Sequence, residues 1–299
     1  MKIYGHLISA GELAEALGDP DLAVFDCRHD LMNPEVGARA YQATHVAGAQ
    51  FLHCDHDLSG PKSGTNGRHP LPDPEAFATL LAERGVDNET QVVAYDDADG
   101  IFAARLWWML RWLGHERVAV LDGGFPAWVE EGLPRARGIE RRPSAYFGYR
   151  LRRQGLADLQ FVQAHMNDPG MLLLDARAPE RFRGEAEPLD PVAGHVPGAI
   201  NRFFGANLDD EGLFKPEAVL RAEYEPLIGS RDPRDVVHMC GSGVTACHNL
   251  LAMEIAGLSG SKLYAGSWSE WCSDPARPVV CESCRSAEAA AHIDLRTEA

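Results

Sequence analysis

The stretch VVHMCGSGVTACHNLLAMEIAGL, residues 236–258, changes character twice within a few residues. An apolar run, Val236 to Met239, stops at Cys240. Gly241, Ser242 and Gly243 follow, and then Leu250, Leu251, Met253, Ile255 and Leu258 recur at helical spacing. Strand, glycine turn and helix in that order form the unit of a parallel α/β sheet, where ligands bind at the carboxyl ends of strands. A cysteine at that edge meets the unpaired N–H groups of the turn and the positive end of the helix dipole, and both favour its thiolate. Gly241 and Gly243 let the backbone turn its amides inward without a Cβ clash. This pattern makes a cysteine reactive, whereas a merely packed cysteine needs none of it.

The chain also repeats itself. GDPDLAVFDCR (18–28) returns as NDPGMLLLDAR (167–177), and HVAGA from His45 returns as HVPGA from His195. TQVVAYD, ending at Asp96, matches RDVVHMC, ending at Cys240, and VLDGGFPAW is echoed by KLYAGSWSEW. Four blocks in one order at nearly constant spacing describe a tandem duplication with a period of roughly half the chain. Leu22–Phe25, Val92–Tyr95 and Val118–Leu121 read as buried strands of the first copy, with a helix over FAARLWWMLRWLGH between the last two. Trp107, Trp108 and Trp112 read as helix packing at the face between the copies. The first copy has Asp96 where the second has Cys240, and lacks its glycine pattern, as expected of one supporting and one catalytic domain. His45, His195, Asp26 and Asp175 occur in both copies and read as fold-supporting.

The 299 residues carry 28 Lys and Arg against 44 Asp and Glu, a formal net charge of −16. That balance excludes nucleic acid or an anionic membrane as the main partner. No apolar run approaches the ~20 residues that span a bilayer. The N-terminus breaks its apolar residues with polar ones and does not read as a secretory signal. Seven cysteines, an odd number, suit a reduced cytoplasmic protein. Residues 134–155 hold seven arginines and one glutamate and read as a linker lying across acidic domains.

With HVPGA, GSWSEW, HPLPDPEAF and the Asp of the silent loop, the loop CGSGVTA at 240–246 resembles the two-domain sulfurtransferases of the rhodanese superfamily, from about Ile3 to about Val279. Within that group it is similar to the 3-mercaptopyruvate sulfurtransferase type. The resemblance implies an α/β fold of two tandem rhodanese-like domains, each a mostly parallel sheet flanked by helices. Residues 1–133 would form the noncatalytic domain, 134–155 the linker, 156–280 the catalytic domain and 281–299 a tail. It also implies that the Cys240 thiolate takes sulfur from a small-molecule donor, releases pyruvate and holds the sulfur as a persulfide. The sulfur then passes to cyanide or to a thiol such as thioredoxin or a small thiol. Ser242, His69 and Asp55 match a protease-like relay in the family, with Asp57 close enough for the Asp assignment to slip by two.

Arg181 matches a substrate-binding arginine, with Gly241, Gly243, Val244 and Thr245 around the donor. The chain departs from the family at Leu189, where a second arginine is common. Residues 241–246 carry no cation, which excludes the Cys-x5-Arg chemistry of cysteine phosphatases and favours a monoanionic mercapto acid over thiosulfate. Thiosulfate:cyanide sulfurtransferase and a noncatalytic binding module are the competing readings. Cys272, a Cys281-x-x-Cys284 pair and His292 near the C-terminus offer one tight pair where a zinc site asks for two, so the segment reads as a terminus. Neither cofactor nor metal is expected.

Overall fold

The computed structural model describes residues 2–283. Two five-stranded sheets, each wholly parallel, carry the same strand order. The first runs Leu7–Ile8, Val118–Leu121, Gln91–Tyr95, Leu22–Asp26, Gln50–Phe51. The second runs Leu156–Ala157, Lys262–Tyr264, Val236–Met239, Leu172–Asp175, Ile200–Asn201. Every residue of Leu22–Asp26, Gln91–Tyr95 and Val236–Met239 is buried, because helices cover both faces of a parallel sheet.

The shared motifs turn out to be structural fasteners in both halves. Asp26 takes the Arg28 guanidinium on both carboxylate oxygens, and Arg28 also donates to Thr44 O. Asp175 takes Arg177 in the same way, and Arg177 donates to Gly194 O. His45 stacks on Tyr41 and bonds its carbonyl, as His195 does with Phe182.

The helices Ile101–Trp112 and Ala246–Ile255, each following the loop after its central strand, pack on one another and join the halves. Ten of the twelve residues in Ile101–Trp112 are buried, the mark of an interior helix. Trp108 and Trp112 stack there, in a single apolar core that extends into the second sheet through Leu250, Leu251 and Val236. The arginine-rich segment is tied down: Arg135–Ala136 pairs antiparallel with His45–Val46, Arg142 donates to Pro20 O, and Arg152 pairs with Glu116. Among the described residues no helix is long and apolar enough to cross a membrane. Cys284 and His292 lie outside the described residues.

Candidate active site

Cys240 ends the central strand of the second sheet. Its N–H donates to Ser267 Oγ at 3.1 Å and its carbonyl accepts from Trp268 N–H at 3.0 Å, so the loop after the neighbouring strand pins its backbone. Ser267 holds φ +52, a left-handed conformation uncommon for a non-glycine residue. Cys240 Sγ accepts from Gly243 N–H at 3.1 Å. Gly243 has φ +78, and a Cβ there would lie 2.3 Å from Ala265 O, so only glycine delivers this amide to the sulfur. The helix begins at Ala246, which leaves Ser242, Val244 and Thr245 in the turn beneath it.

Cys240 is 2% exposed and faces a pocket of about 50 Å³ whose walls include Gly241, Ser242, Val244, Thr245 and Arg181. Gly243 is not in that wall; it sits behind the sulfur. Burial pushes the thiols of Cys54 and Cys247 up to about 12, Cys272 to about 11 and Cys27 well above its usual value. Those four are held as thiols, and none of them lines the pocket.

Ser242, His69 and Asp55 come together across the domain interface. His69 Nδ1 lies 2.7 Å from Ser242 Oγ, and His69 Nε2 lies 3.2 Å from Asp55 Oδ1. With the proton on Nε2 facing the carboxylate, Nδ1 presents its lone pair to the serine hydroxyl. Burial lowers the His69 pKa, against an upward pull from Asp55. The hydrogen bond from His69 holds Asp55 well below the usual carboxylate range, so the pair reads as neutral imidazole and carboxylate. Asp57 is engaged elsewhere, accepting from His53 N–H at 2.7 Å.

The loop lacks cations, as its sequence says, but the site does not. Arg181 and Arg68 both line the pocket beside Gly241. Arg181 pairs with Glu187 at 2.6 Å. Arg183 points away to the exposed Glu185, and Arg202 is bound to Glu223.

Two contributors escaped sequence reasoning. Arg68 stands beside His69 in a loop of the other domain, and nothing local announces its direction. Arg105 is fully buried in the helix Ile101–Trp112; it donates to Gly243 O at 3.2 Å, His69 O at 3.1 Å and Leu58 O at 3.3 Å, tying the cysteine loop to the relay. A charge in the middle of an apolar helix was the available signal.

His29, His53 and Asp55 present ligand-type atoms within 4.8 Å of one another. His53 Nδ1 accepts from Asp55 N–H and Asp55 is paired with His69, while both ring nitrogens of His29 and Nε2 of His53 are buried without a hydrogen-bond partner among the described residues.

Residues 9–131 and 158–274 each match the rhodanese-like domain family. The chain is 48% identical over 276 residues to a probable 3-mercaptopyruvate sulfurtransferase of Pseudomonas aeruginosa, covering 92% of this chain and 97% of that one. It is 39% identical to a putative thiosulfate sulfurtransferase of Mycobacterium tuberculosis, over 91% of this chain and 96% of that one. The solved structure of the 3-mercaptopyruvate sulfurtransferase SseA from Escherichia coli superposes with a TM-score of 0.77 at 30% identity, covering 89% of this chain and 99% of that one. The doubled fold, the cysteine loop and these likenesses lead to one conclusion: the chain belongs to the rhodanese family and is a sulfurtransferase built from two rhodanese-like domains.

Proposed function

We propose that the enzyme moves sulfur from 3-mercaptopyruvate to a thiol acceptor or cyanide through a persulfide on Cys240. The observation that carries this reading is a sulfur fixed by the Gly243 amide at the floor of a small pocket, with an arginine and a serine–histidine–aspartate relay at its edge.

The chemistry follows from those positions. The Cys240 thiolate attacks the donor sulfur, forming the S–S bond as the donor C–S bond breaks and its electron pair leaves as the enolate of pyruvate. The proton of the donor thiol passes through Ser242 to His69 Nδ1 and returns to the enolate carbon, giving pyruvate. The terminal persulfide sulfur is an anion and keeps company with the same turn amides. An acceptor thiolate then attacks that sulfur and leaves with it, restoring Cys240. Cyanide does the same and becomes thiocyanate. Thioredoxin or a small thiol suits the acceptor role, and the need for a reduced Cys240 suits the cytoplasm. Neither nucleic acid nor a membrane takes part.

Thiosulfate is the second reading for the donor. It is favoured by the likeness to a putative thiosulfate sulfurtransferase.

The deciding experiment is the intact mass of the reduced protein after brief exposure to each donor. Gain of one sulfur, greater with 3-mercaptopyruvate and lost in Cys240→Ser, is the expected result. A gain that survives Cys240→Ser places the nucleophile elsewhere, and a gain from thiosulfate alone reverses the donor.

A further inference from the structure

Gly241 stands between two guanidinium groups that come from different domains. A Cβ built on it would lie 2.8 Å from Arg68 Nη2 and 3.4 Å from Arg181 Nη1. Both arginines are aimed by the same carboxylate. Asp190 Oδ1 pairs with Arg68 Nη1, and Asp190 Oδ2 lies 3.4 Å from Arg181 Nη2. Glu187 takes the Nε–Nη2 edge of Arg181, sharing Nη2 with Asp190 and leaving Nη1 toward Gly241. Each fork therefore spends one edge on a protein carboxylate and turns its other nitrogen toward Gly241, next to the nucleophile. The Arg68 backbone is fixed as well: its N–H donates to Ser269 Oγ at 3.0 Å. A Cβ on Gly67, at φ +85, would meet Gly266 O at 2.8 Å, so the loop is pressed against the second domain.

We propose that Arg68 is a donor-binding residue that fixes donor preference, clamping the carboxylate of a mercapto acid over Gly241 together with Arg181. Leu189 supplies apolar wall where this chain has no arginine, and the second cation comes from across the domain interface instead. Two Nη groups converging on one point suit a planar carboxylate, which accepts on both oxygens. The charges of Arg68 and Arg181 are already matched by Asp190 and Glu187, so the clamp offers directed hydrogen bonds without surplus positive charge. That arrangement favours a carboxylate monoanion over a dianion. The inference rests on the sulfurtransferase reading for its donor, but the binding site can be tested without turnover.

The test has two arms. In the first, Arg68→Met and Arg68→Lys are assayed with 3-mercaptopyruvate and with thiosulfate at fixed acceptor. Loss of a charge-assisted hydrogen bond predicts a KM for 3-mercaptopyruvate raised roughly tenfold to a hundredfold in Arg68→Met, with a smaller change in kcat, partial recovery in Arg68→Lys and a smaller effect on thiosulfate. In the second, pyruvate is titrated calorimetrically into the Cys240→Ser protein with and without Arg68→Met, where a comparable loss of affinity is expected. Unchanged pyruvate affinity overturns the proposal whether or not the wild type turns over. An equal fall in kcat for both donors, with KM unchanged, assigns Arg68 a purely structural role and also overturns it.

Discussion

Asp96 and Cys240 occupy the same place in the two halves, each directly after the central strand of its sheet, and each accepts from the loop that follows: Cys240 Sγ from one amide, that of Gly243, and Asp96 from four. Asp96 accepts from the N–H groups of Ala98, Gly100, Phe102 and Ala103 at 2.8–2.9 Å. Burial raises its pKa while those four donors oppose the rise. The first half thus carries a carboxyl group in the cradle where the second half holds a cysteine sulfur.

Asp96→Ala strands four N–H donors, three of them fully buried. At about 1 kcal/mol or more for each buried donor left unmade, the variant should lose at least about 3 kcal/mol of stability. Denaturant unfolding measures this loss, while the sulfur taken up per folded molecule should stay as in the wild type.

The relay has a signed pH dependence. Burial lowers the His69 pKa and Asp55 raises it. Asp55→Asn removes the opposing charge, so the acid limb of kcat for 3-mercaptopyruvate should move to lower pH. The plateau should fall by roughly a hundredfold as the imidazole loses its orientation. A pH–rate profile that keeps its limb in place would exclude His69 as the titrating base.

Ser242→Ala and His69→Gln should each slow turnover by about 10² or more, and the double variant should be little slower than the worse single. Steady-state kinetics on the three proteins decide this. Additive losses would mean that the two residues act separately despite their 2.7 Å contact.

Gly243→Ala puts a Cβ where Ala265 O already lies and forces alanine into a left-handed conformation. The expected cost is more than about 1 kcal/mol of stability, accompanied by loss of sulfur transfer as the amide leaves Sγ. Chemical denaturation and the persulfide mass assay read the two effects separately.

His238 is buried in the central strand, and burial lowers its pKa to about 3 from an ordinary 6.5. Its Nε2 meets only Met253 Sδ, at 3.1 Å, and its Nδ1 has no partner. Between those pH values the unfolded chain binds a proton that the folded chain refuses, so stability falls as pH drops below about 6.5. His238→Met should make the acid decline shallower by up to about 1.4 kcal/mol per pH unit, as read from urea midpoints across that range.

Repeated blocks and short apolar runs made the two sheets legible, because strand burial on both faces writes itself into consecutive residues. Val236–Met239 and the helix after it could be read directly. The strand Gln50–Phe51 and the pairing of Arg135–Ala136 with His45–Val46 had no such signature, being short and set by tertiary contact. Cys240 stands out from its strand–turn–helix setting, Ser242, His69 and Asp55 only through the resemblance, and the fold brings all four to one interface. Arg68 and Arg105 were missed because what matters is their direction, fixed by Asp190 in one case and by three carbonyls in the other. An absence of cations from the cysteine loop said nothing about cations reaching it from elsewhere.

The apolar core that runs from Trp108 and Trp112 into Leu250 and Val236 has a thermodynamic consequence. Neither half can expose its side of that core without stripping the other, so the duplicated chain should melt cooperatively as one unit. Calorimetry should then show a single transition whose van't Hoff and calorimetric enthalpies agree, with catalysis lost at the same temperature.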